Sequence, residues 1–357
     1  MEKLNLAIIG QGRSGKQIHG SYYVSDRNKY YNVKYVVDED ARRRAIAEQL
    51  YPGCETLSNY AELFAKTDVD IVVNASYSQQ HFSITKDLLE HKFNVLVDKP
   101  FSKTKKECNK LIALAKKNKV KLVVFQQSFY APYYIDTYKK MSDNKIGKVE
   151  QVSIHFNNFV RRWDWQTLQK KTAGSAYNTG PHPIGIALGL LDFSKHMKIE
   201  YCKLAHTSMS SGDADDYVKV IFTAPNKPVI DVEISSIDAF SGYTVKMQGH
   251  KGTFQCKPGQ YKIKYIVDGE NPVRAVEEKF LQDENGEPLY CSEKLITHEE
   301  EGEYDGTAFD IGTADLYKEM YYYLTENKPM TYTAEMASKI IGAIETLHKK
   351  NPLPKKF

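Results

Sequence analysis

The sequence predicts an α/β protein in two parts: an N-terminal doubly wound parallel sheet, then a C-terminal α+β domain with a large, open, mostly antiparallel sheet. Three observations predict it. Between residues 4 and 125, short apolar runs without alternation are separated by amphipathic stretches of helix length. That is the pattern of a parallel sheet covered on both faces. The first run, Leu4–Ile9, breaks into Gly10-Gln11-Gly12-Arg13-Ser14-Gly15. From about residue 149 the runs alternate and follow one another with no helix between them, which makes an antiparallel sheet.

The glycine turn has the G-x-G-x-x-G spacing. Gly10 permits the tight turn, Gly12 admits a pyrophosphate against bare backbone, and Gly15 lets the next helix pack close. Arg13 and Ser14 open that helix, whose free N–H groups suit phosphate. The second strand, Tyr31–Val37, ends at Asp38, which lies 23 residues past Gly15. A carboxylate that takes ribose hydroxyls is expected roughly 20 residues on. This opening is that of a Rossmann-type, dinucleotide-binding βαβ unit.

The remaining elements follow in order. Ala41–Leu50 is a charged amphipathic helix, 57–64 a loop and short helix, and 70–74 a buried strand. Helix 79–91 turns Phe82, Ile84, Leu88 and Leu89 inward. Strand 94–97 stops at Asp98-Lys99-Pro100. Helix 104–119 turns Cys108, Leu111, Ile112 and Ala115 inward, and strand 121–125 ends the first domain, residues 1–125. The second domain, 126–357, has a helix at 132–143, a strand at 149–159 and a helix at 178–191. Strands follow at 217–222, 229–235, 243–248, 253–256 and 261–267. The acidic stretch 268–306 reads as loops around a short strand, and helices at 309–324 and 334–349 close the chain.

Composition narrows the function. The 357 residues are 41% hydrophobic and 26% charged, with a net charge of +4, as in an ordinary soluble protein. No basic block with interleaved aromatics points to nucleic acid. A first strand that opens close to Met1 predicts no signal peptide, and the lack of any run of 18 apolar residues predicts no membrane span. Five scattered cysteines with no C-x-x-C predict reduced thiols and a cytoplasmic protein. Without an H-x-H pair or a Cys/His cluster, no metal is expected. The 25 tyrosines suit a carbohydrate ligand and a sheet equally.

The glycine turn, Asp38, Asp98-Lys99-Pro100 and Gly180-Pro181-His182 together resemble the Gfo/Idh/MocA oxidoreductases, which include glucose–fructose oxidoreductase and the inositol dehydrogenases. The resemblance spans essentially the whole chain. It implies a lysine, here Lys99, that contacts both nicotinamide ribose and substrate, and a Lys99–Pro100 peptide that is cis. It implies a second-domain sheet that carries the substrate pocket and makes a homo-dimer or homo-tetramer. Asp98 replaces the usual Glu, and His19 matches a common family histidine. Ser76, Tyr77 and Ser78 replace a Thr-Pro-Asn, while His81 keeps its place. Asn178 and Gly185 stand where the family often has Asp, and Ser128 where it often has Arg.

The residues suggest roles of their own. Lys99 ends a parallel strand, the edge where ligands bind in doubly wound sheets. Burial and a cationic cofactor lower its pKa. His182, with an ordinary pKa near neutrality, is the candidate general acid/base. Asn178 can orient a hydroxyl but cannot take its proton. Lys99, His182 and Asn178 are therefore the catalytic candidates. Gly10, Gly12, Arg13, Ser14, Gly15, Asp38, Ser76, Tyr77, His81, Asp98 and Lys99 are those for the cofactor. Gln126, Arg161, Trp163, Trp165 and Tyr177, with Asn178 and His182, are those for substrate; aromatic faces and guanidinium groups suit a sugar or polyol. Asp38 favours NAD over NADP, although Arg42 and Arg43 stand close enough to serve a 2′-phosphate. The expected activity is hydride transfer between cofactor and a secondary alcohol. The alternatives are an NAD-dependent glycosidase-type enzyme working by transient oxidation, and a non-catalytic NAD or sugar sensor.

Overall fold

The computed structural model describes residues 2–357. Its first sheet holds β1 (Leu4–Ile9), β2 (Tyr31–Val37), β3 (Glu55–Leu57), β4 (Ile71–Asn74), β5 (Val95–Val97) and β6 (Leu122–Val124). The order is β3-β2-β1-β4-β5-β6, and every pair is parallel. β4, β5 and β6 are buried throughout, as strands covered on both faces must be. The covering helices are α1 (Gly20–Tyr23), α2 (Ala41–Leu50), α3 (His81–Glu90) and α4 (Lys105–Asn118).

Local chemistry sets the helix ends. Asp40 accepts the Arg42 N–H at 2.9 Å to start α2. Thr104 and Glu107 form a capping box at the start of α4. Two elements differ from expectation. The helix after Gly15 is a π-helical turn over Arg13–His19, which carries the Gly20 N–H onto the Gly15 carbonyl and runs into α1. β3 was not foreseen: it pairs only three residues onto the end of β2, too few to show a period.

The second part holds α5 (Pro132–Lys140), β7 (Val149–Asn157), α6 (Ser175–Asn178) and α7 (Pro181–Leu190). Then come β8 (Lys198–Ala205), β9 (Tyr217–Thr223), β10 (Val229–Ser235), β11 (Val245–Gly249), β12 (Gly252–Lys257), β13 (Gln260–Tyr265) and β14 (His298–Glu303). The eight strands lie in the order β14-β13-β12-β11-β7-β10-β9-β8. Only β7 and β10 run parallel; the other pairs are antiparallel. In β9 Val218, Val220 and Phe222 are buried and their neighbours are not, so one face is covered and the other open. Between β13 and β14, 266–297 is an extended, mostly exposed segment.

The chain then returns to the first sheet. α8 (Thr313–Glu326) sets Tyr317 against Tyr22, Tyr23 and Tyr31, all buried. α9 (Ala334–Lys350) packs against both α4 and α7. Much of the tyrosine excess is therefore core. Among the described residues, no helix is long and apolar enough to cross a membrane.

Candidate functional site

The glycine turn follows β1 at the carboxyl edge of the first sheet. Gly10 has φ +91°, and a Cβ there would stand 2.6 Å from the Ala75 carbonyl oxygen. A Cβ on Gly15 would overlap the carbonyl of Gly10. A Cβ on Gly12 would meet no protein atom within 4 Å. The turn is thus packed on its protein sides and open at Gly12, as a pyrophosphate cradle has to be. Asp38 accepts the Gln11 N–H at 2.7 Å and the Asp40 N–H at 2.9 Å, so its carboxylate is held beside the turn. Arg43 stands 3.6 Å from it. These residues fit a dinucleotide.

Asp98 and Lys99 follow β5 at the same edge, and the Lys99–Pro100 peptide is cis. The Ser14 hydroxyl donates to Asp98, which ties the glycine turn to the end of β5. Burial alone would raise the Asp98 pKa, but His19, Lys99 and Ser14 hold it below the usual carboxylate value. Burial lowers the Lys99 pKa, and Asp98 opposes it. The Lys99 ammonium donates to the Asn178 carbonyl at 2.9 Å. Lys99 thus reaches from the first sheet into the second domain.

A cavity of about 490 Å³ opens beyond Asn178. His182, Asn178, Ser128, Arg162 and Gln166 line it, with the ends of β7 and β10. The His182 ring is fixed from behind. Gln126 donates through Nε2 to the Pro181 carbonyl at 2.7 Å and to Ser128 Oγ at 2.9 Å. Ser128 Oγ lies 3.2 Å from His182 Nδ1. In the tautomer that gives Nδ1–H to that hydroxyl, the lone pair of Nε2, which has no hydrogen-bond partner among the described residues, is left for a ligand. Burial, then the charge of Lys99, pushes the His182 pKa down to about 3. The ring is therefore neutral at pH 7, a base rather than an acid; its ordinary pKa is not what this site provides.

The expected single helix from Asn178 is broken. α6 ends at Asn178 and α7 begins at Pro181. A Cβ on Gly180 would overlap the Ala176 carbonyl, and Pro181 and Pro183 have no N–H to continue the ladder. The break separates Asn178 from His182 in the helix register, yet both line the cavity. Asn178 donates its amide to the Gln166 carbonyl at 2.9 Å.

Other candidates stand elsewhere. Gln126 is fully buried behind His182 and does not line the cavity. Tyr177 is buried, stacks on His348 and donates to the Lys103 carbonyl at 2.8 Å, so its hydroxyl is spent on structure. Trp163 is 83% exposed and Arg161 is exposed; neither lines the cavity. Their segment is irregular, and Arg162 turns inward in place of Arg161, held by Asp164. Trp165 meets Tyr77 edge-on at 5.1 Å, a contact between the two parts. Ser76 donates to Asn74 at 2.7 Å. His81 is buried, its ring nitrogens 2.7 Å from the Pro100 carbonyl and 3.1 Å from that of Ser76. It braces these two loops, with both ring nitrogens engaged. Arg13 is exposed beside the turn. His19 is core, 2.8 Å from the Tyr317 hydroxyl. Arg162, Ser128 and Gln166 line the cavity but were not named as site residues; the signal for Ser128 was its place, four residues past β6, where the family often has Arg.

Two family models match the chain. One, described as an oxidoreductase family with an NAD-binding Rossmann fold, covers residues 4–126, and the GFO/IDH/MocA C-terminal domain covers 135–255. The uncharacterized oxidoreductase YhhX of Escherichia coli (strain K12) is 24% identical over 352 residues, which is 97% of this chain and 95% of its own. Glucose-6-phosphate 3-dehydrogenase of Bacillus subtilis (strain 168) is 23% identical over 233 residues, 62% of this chain and 66% of its own. The crystal structure of GenD2 from gentamicin A biosynthesis, in complex with NAD, is similar in fold. Its TM-score is 0.75 at 18% identity, over 98% of this chain and 94% of that one.

Proposed function

Because the chain belongs to the Gfo/Idh/MocA family of oxidoreductases with an NAD-binding Rossmann fold, we propose that it transfers a hydride between a nicotinamide cofactor and a secondary alcohol or ketone of a sugar, polyol or glycoside. The observation that carries this reading is the Lys99–Asn178 hydrogen bond. It joins the strand edge that suits a dinucleotide to the wall of a cavity large enough for a sugar ring.

The cofactor supplies the hydride chemistry; the chain binds, orients and moves protons. The Gly12 backbone, Ser14 and Asp38 are the holding groups. The Asp38 carboxylate accepts ribose hydroxyls and repels a 2′-phosphate, which favours NAD. In the oxidation direction, the hydroxyl donates its hydrogen bond to neutral His182 at Nε2. The ring takes the proton only as negative charge develops on that oxygen and offsets the burial that holds its pKa down, while the hydride leaves the carbon that bears the hydroxyl. The Lys99 ammonium, with N–H bonds beyond the one given to Asn178, stabilises the developing alkoxide. Asn178 and Gln166 position the sugar. The name of the Bacillus relative supports a sugar, and five unpaired cysteines support a reducing compartment, the cytoplasm.

The test is a screen of inositols, aldoses, uronates and glycosides with NAD, read as NADH absorbance, with His182→Ala as control. Turnover on one of these that is lost in the variant supports the proposal. Tight NAD binding with no turnover on any of them overturns it in favour of a sensor.

A further inference from the structure

We propose that Asp213 is a positioning residue: it fastens the segment after α9, residues 352–357, to the loop 164–171 and so holds one wall of the cavity in shape. The consequence for substrate rests on the hydride-transfer reading above; the consequence for the wall does not.

The loop has little regular structure of its own. Residues 165–167 and 169–171 each make a single 3₁₀ turn, and Thr172 follows at φ 53°. Its backbone groups need partners from elsewhere. They find them on the turn 212–215. The Thr167 carbonyl accepts the Asp213 N–H at 3.0 Å and the Ala214 N–H at 2.9 Å. A Cβ on Gly212 would overlap that carbonyl, so the two stretches lie in close contact. Asp215 carries the order on to α6. Its carbonyl accepts the Ser175 N–H at 2.7 Å, and its carboxylate accepts the Ala176 N–H at 2.7 Å. The Gln166 carbonyl accepts from the Gly174 N–H and from the Asn178 amide. Gln166, Thr167, Asn178 and Asp215 all line the cavity.

Asp213 is buried where this wall meets the segment after α9. One carboxylate oxygen accepts the Gln169 N–H at 2.9 Å, and the other accepts the Lys356 N–H at 3.0 Å. The Gln169 amide donates to the Asp213 carbonyl at 2.8 Å and to the Pro354 carbonyl at 3.0 Å.

The segment itself buries little: Pro352, Pro354, Lys355, Lys356 and Phe357 are exposed. Apolar contact therefore does not hold it. A buried carboxylate that loses an N–H partner is strongly disfavoured, and that is what keeps the segment in place. Pro352 and Pro354 have fixed φ, so less freedom is lost on docking. A series of hydrogen bonds thus runs from Lys356 through Asp213 to Thr167, and from its neighbour Gln166 to Asn178, the residue that Lys99 reaches. The glycine turn and Asp38 lie in the other domain and share none of these bonds.

The experiment uses the full chain and three variants. Lys356→Pro removes the donated N–H and keeps the segment. Lys356→Ala keeps the N–H and removes the charged side chain. Asp213→Asn replaces one acceptor oxygen with an NH₂ group. Hydrogen exchange, read by mass spectrometry with no ligand present, should speed up roughly tenfold across 164–178 in K356P and D213N. It should stay unchanged across 4–40 in both, and everywhere in K356A. NAD affinity, read by calorimetry, should stay the same in all three. With a substrate from the screen above, KM should rise about tenfold in K356P and D213N while kcat holds, the mark of lost binding rather than lost chemistry. K356A should match the unaltered chain. Exchange that is unchanged in K356P and D213N, that speeds up throughout the chain, or that speeds up equally in K356A overturns the positioning role, as does an NAD affinity that falls in step. Faster exchange with an unchanged KM, or with a fall in kcat alone, overturns the consequence for substrate. A chain that turns over nothing in the screen removes the hydride-transfer reading and leaves exchange to decide the role of Asp213.

Discussion

The ammonium of Lys99 and the backbone carbonyl of Asn178 lie 2.9 Å apart across 79 residues of chain. Through this bond the end of β5 touches the loop that carries the cavity wall. Lys99 also acts at a distance on His182, whose pKa its charge helps to depress. Lys99→Met should therefore cut single-turnover hydride transfer by roughly 10²–10⁴-fold. It should also raise the His182 pKa, read by NMR of labelled histidine. A variant that leaves both unchanged would remove Lys99 from the site.

His182 gives a pH prediction. Its folded pKa is about 3 against an ordinary 6.5. Above pH 6.5 the ring is neutral folded or unfolded, so it adds no pH dependence. Below that, the unfolded chain takes a proton that the folded ring refuses, and stability falls as pH falls toward 3. Urea unfolding between pH 7.5 and 5 should show this decline, and His182→Asn should flatten it. The rate of the unaltered chain should show no acid limb near pH 6.5, since the ring stays neutral well below that pH.

The glycine turn separates binding from folding. Gly12→Ala meets no protein atom, so the melting temperature should stay put, within about 0.5 kcal/mol of stability. NAD affinity, read by calorimetry, should drop at least tenfold. Gly15→Ala drives a methyl group into the Gly10 carbonyl and should lower the melting temperature whether or not cofactor is present. Equal loss of stability in both variants would argue against an open cradle at Gly12.

Asp38 makes two backbone hydrogen bonds and faces Arg43. Asp38→Ala removes the charge that repels a 2′-phosphate and leaves Arg43 to attract one. The NAD-to-NADP affinity ratio should fall at least tenfold. Tighter binding of NADP than NAD by the unaltered chain would reverse the assignment.

The first sheet was legible because its signals are local. Leu4–Ile9, the glycine turn and the Asp38 spacing lie within 40 residues, and Ala41–Leu50 starts at a cap, Asp40, that stands beside it in the sequence. The site was legible only where a strand end fixes direction, as at Lys99, or where a turn does, as at His182. In 158–167 no period holds, so nothing local says that Arg162 turns in while Arg161 and Trp163 turn out. Tyr177 was misplaced because nothing local says that it turns to His348 and the Lys103 carbonyl, partners far away in the chain. His81 matched its place in the motif, but one of its two carbonyl contacts is to Pro100, a partner 19 residues away.

Tyr317 stacks on Tyr22 with ring centroids 4.5 Å apart, and its carbonyl accepts the Tyr31 hydroxyl at 2.9 Å. A residue far along the chain thus fills the core beside β2. Synthesis runs from the amino end, so the nucleotide half leaves the ribosome with a hole between Tyr22 and Tyr31. It stays unfinished until α8 has been made. The first third of the chain made alone should therefore be less stable than the same sheet in the full chain, because truncation before α8 uncovers Tyr22, Tyr23 and Tyr31.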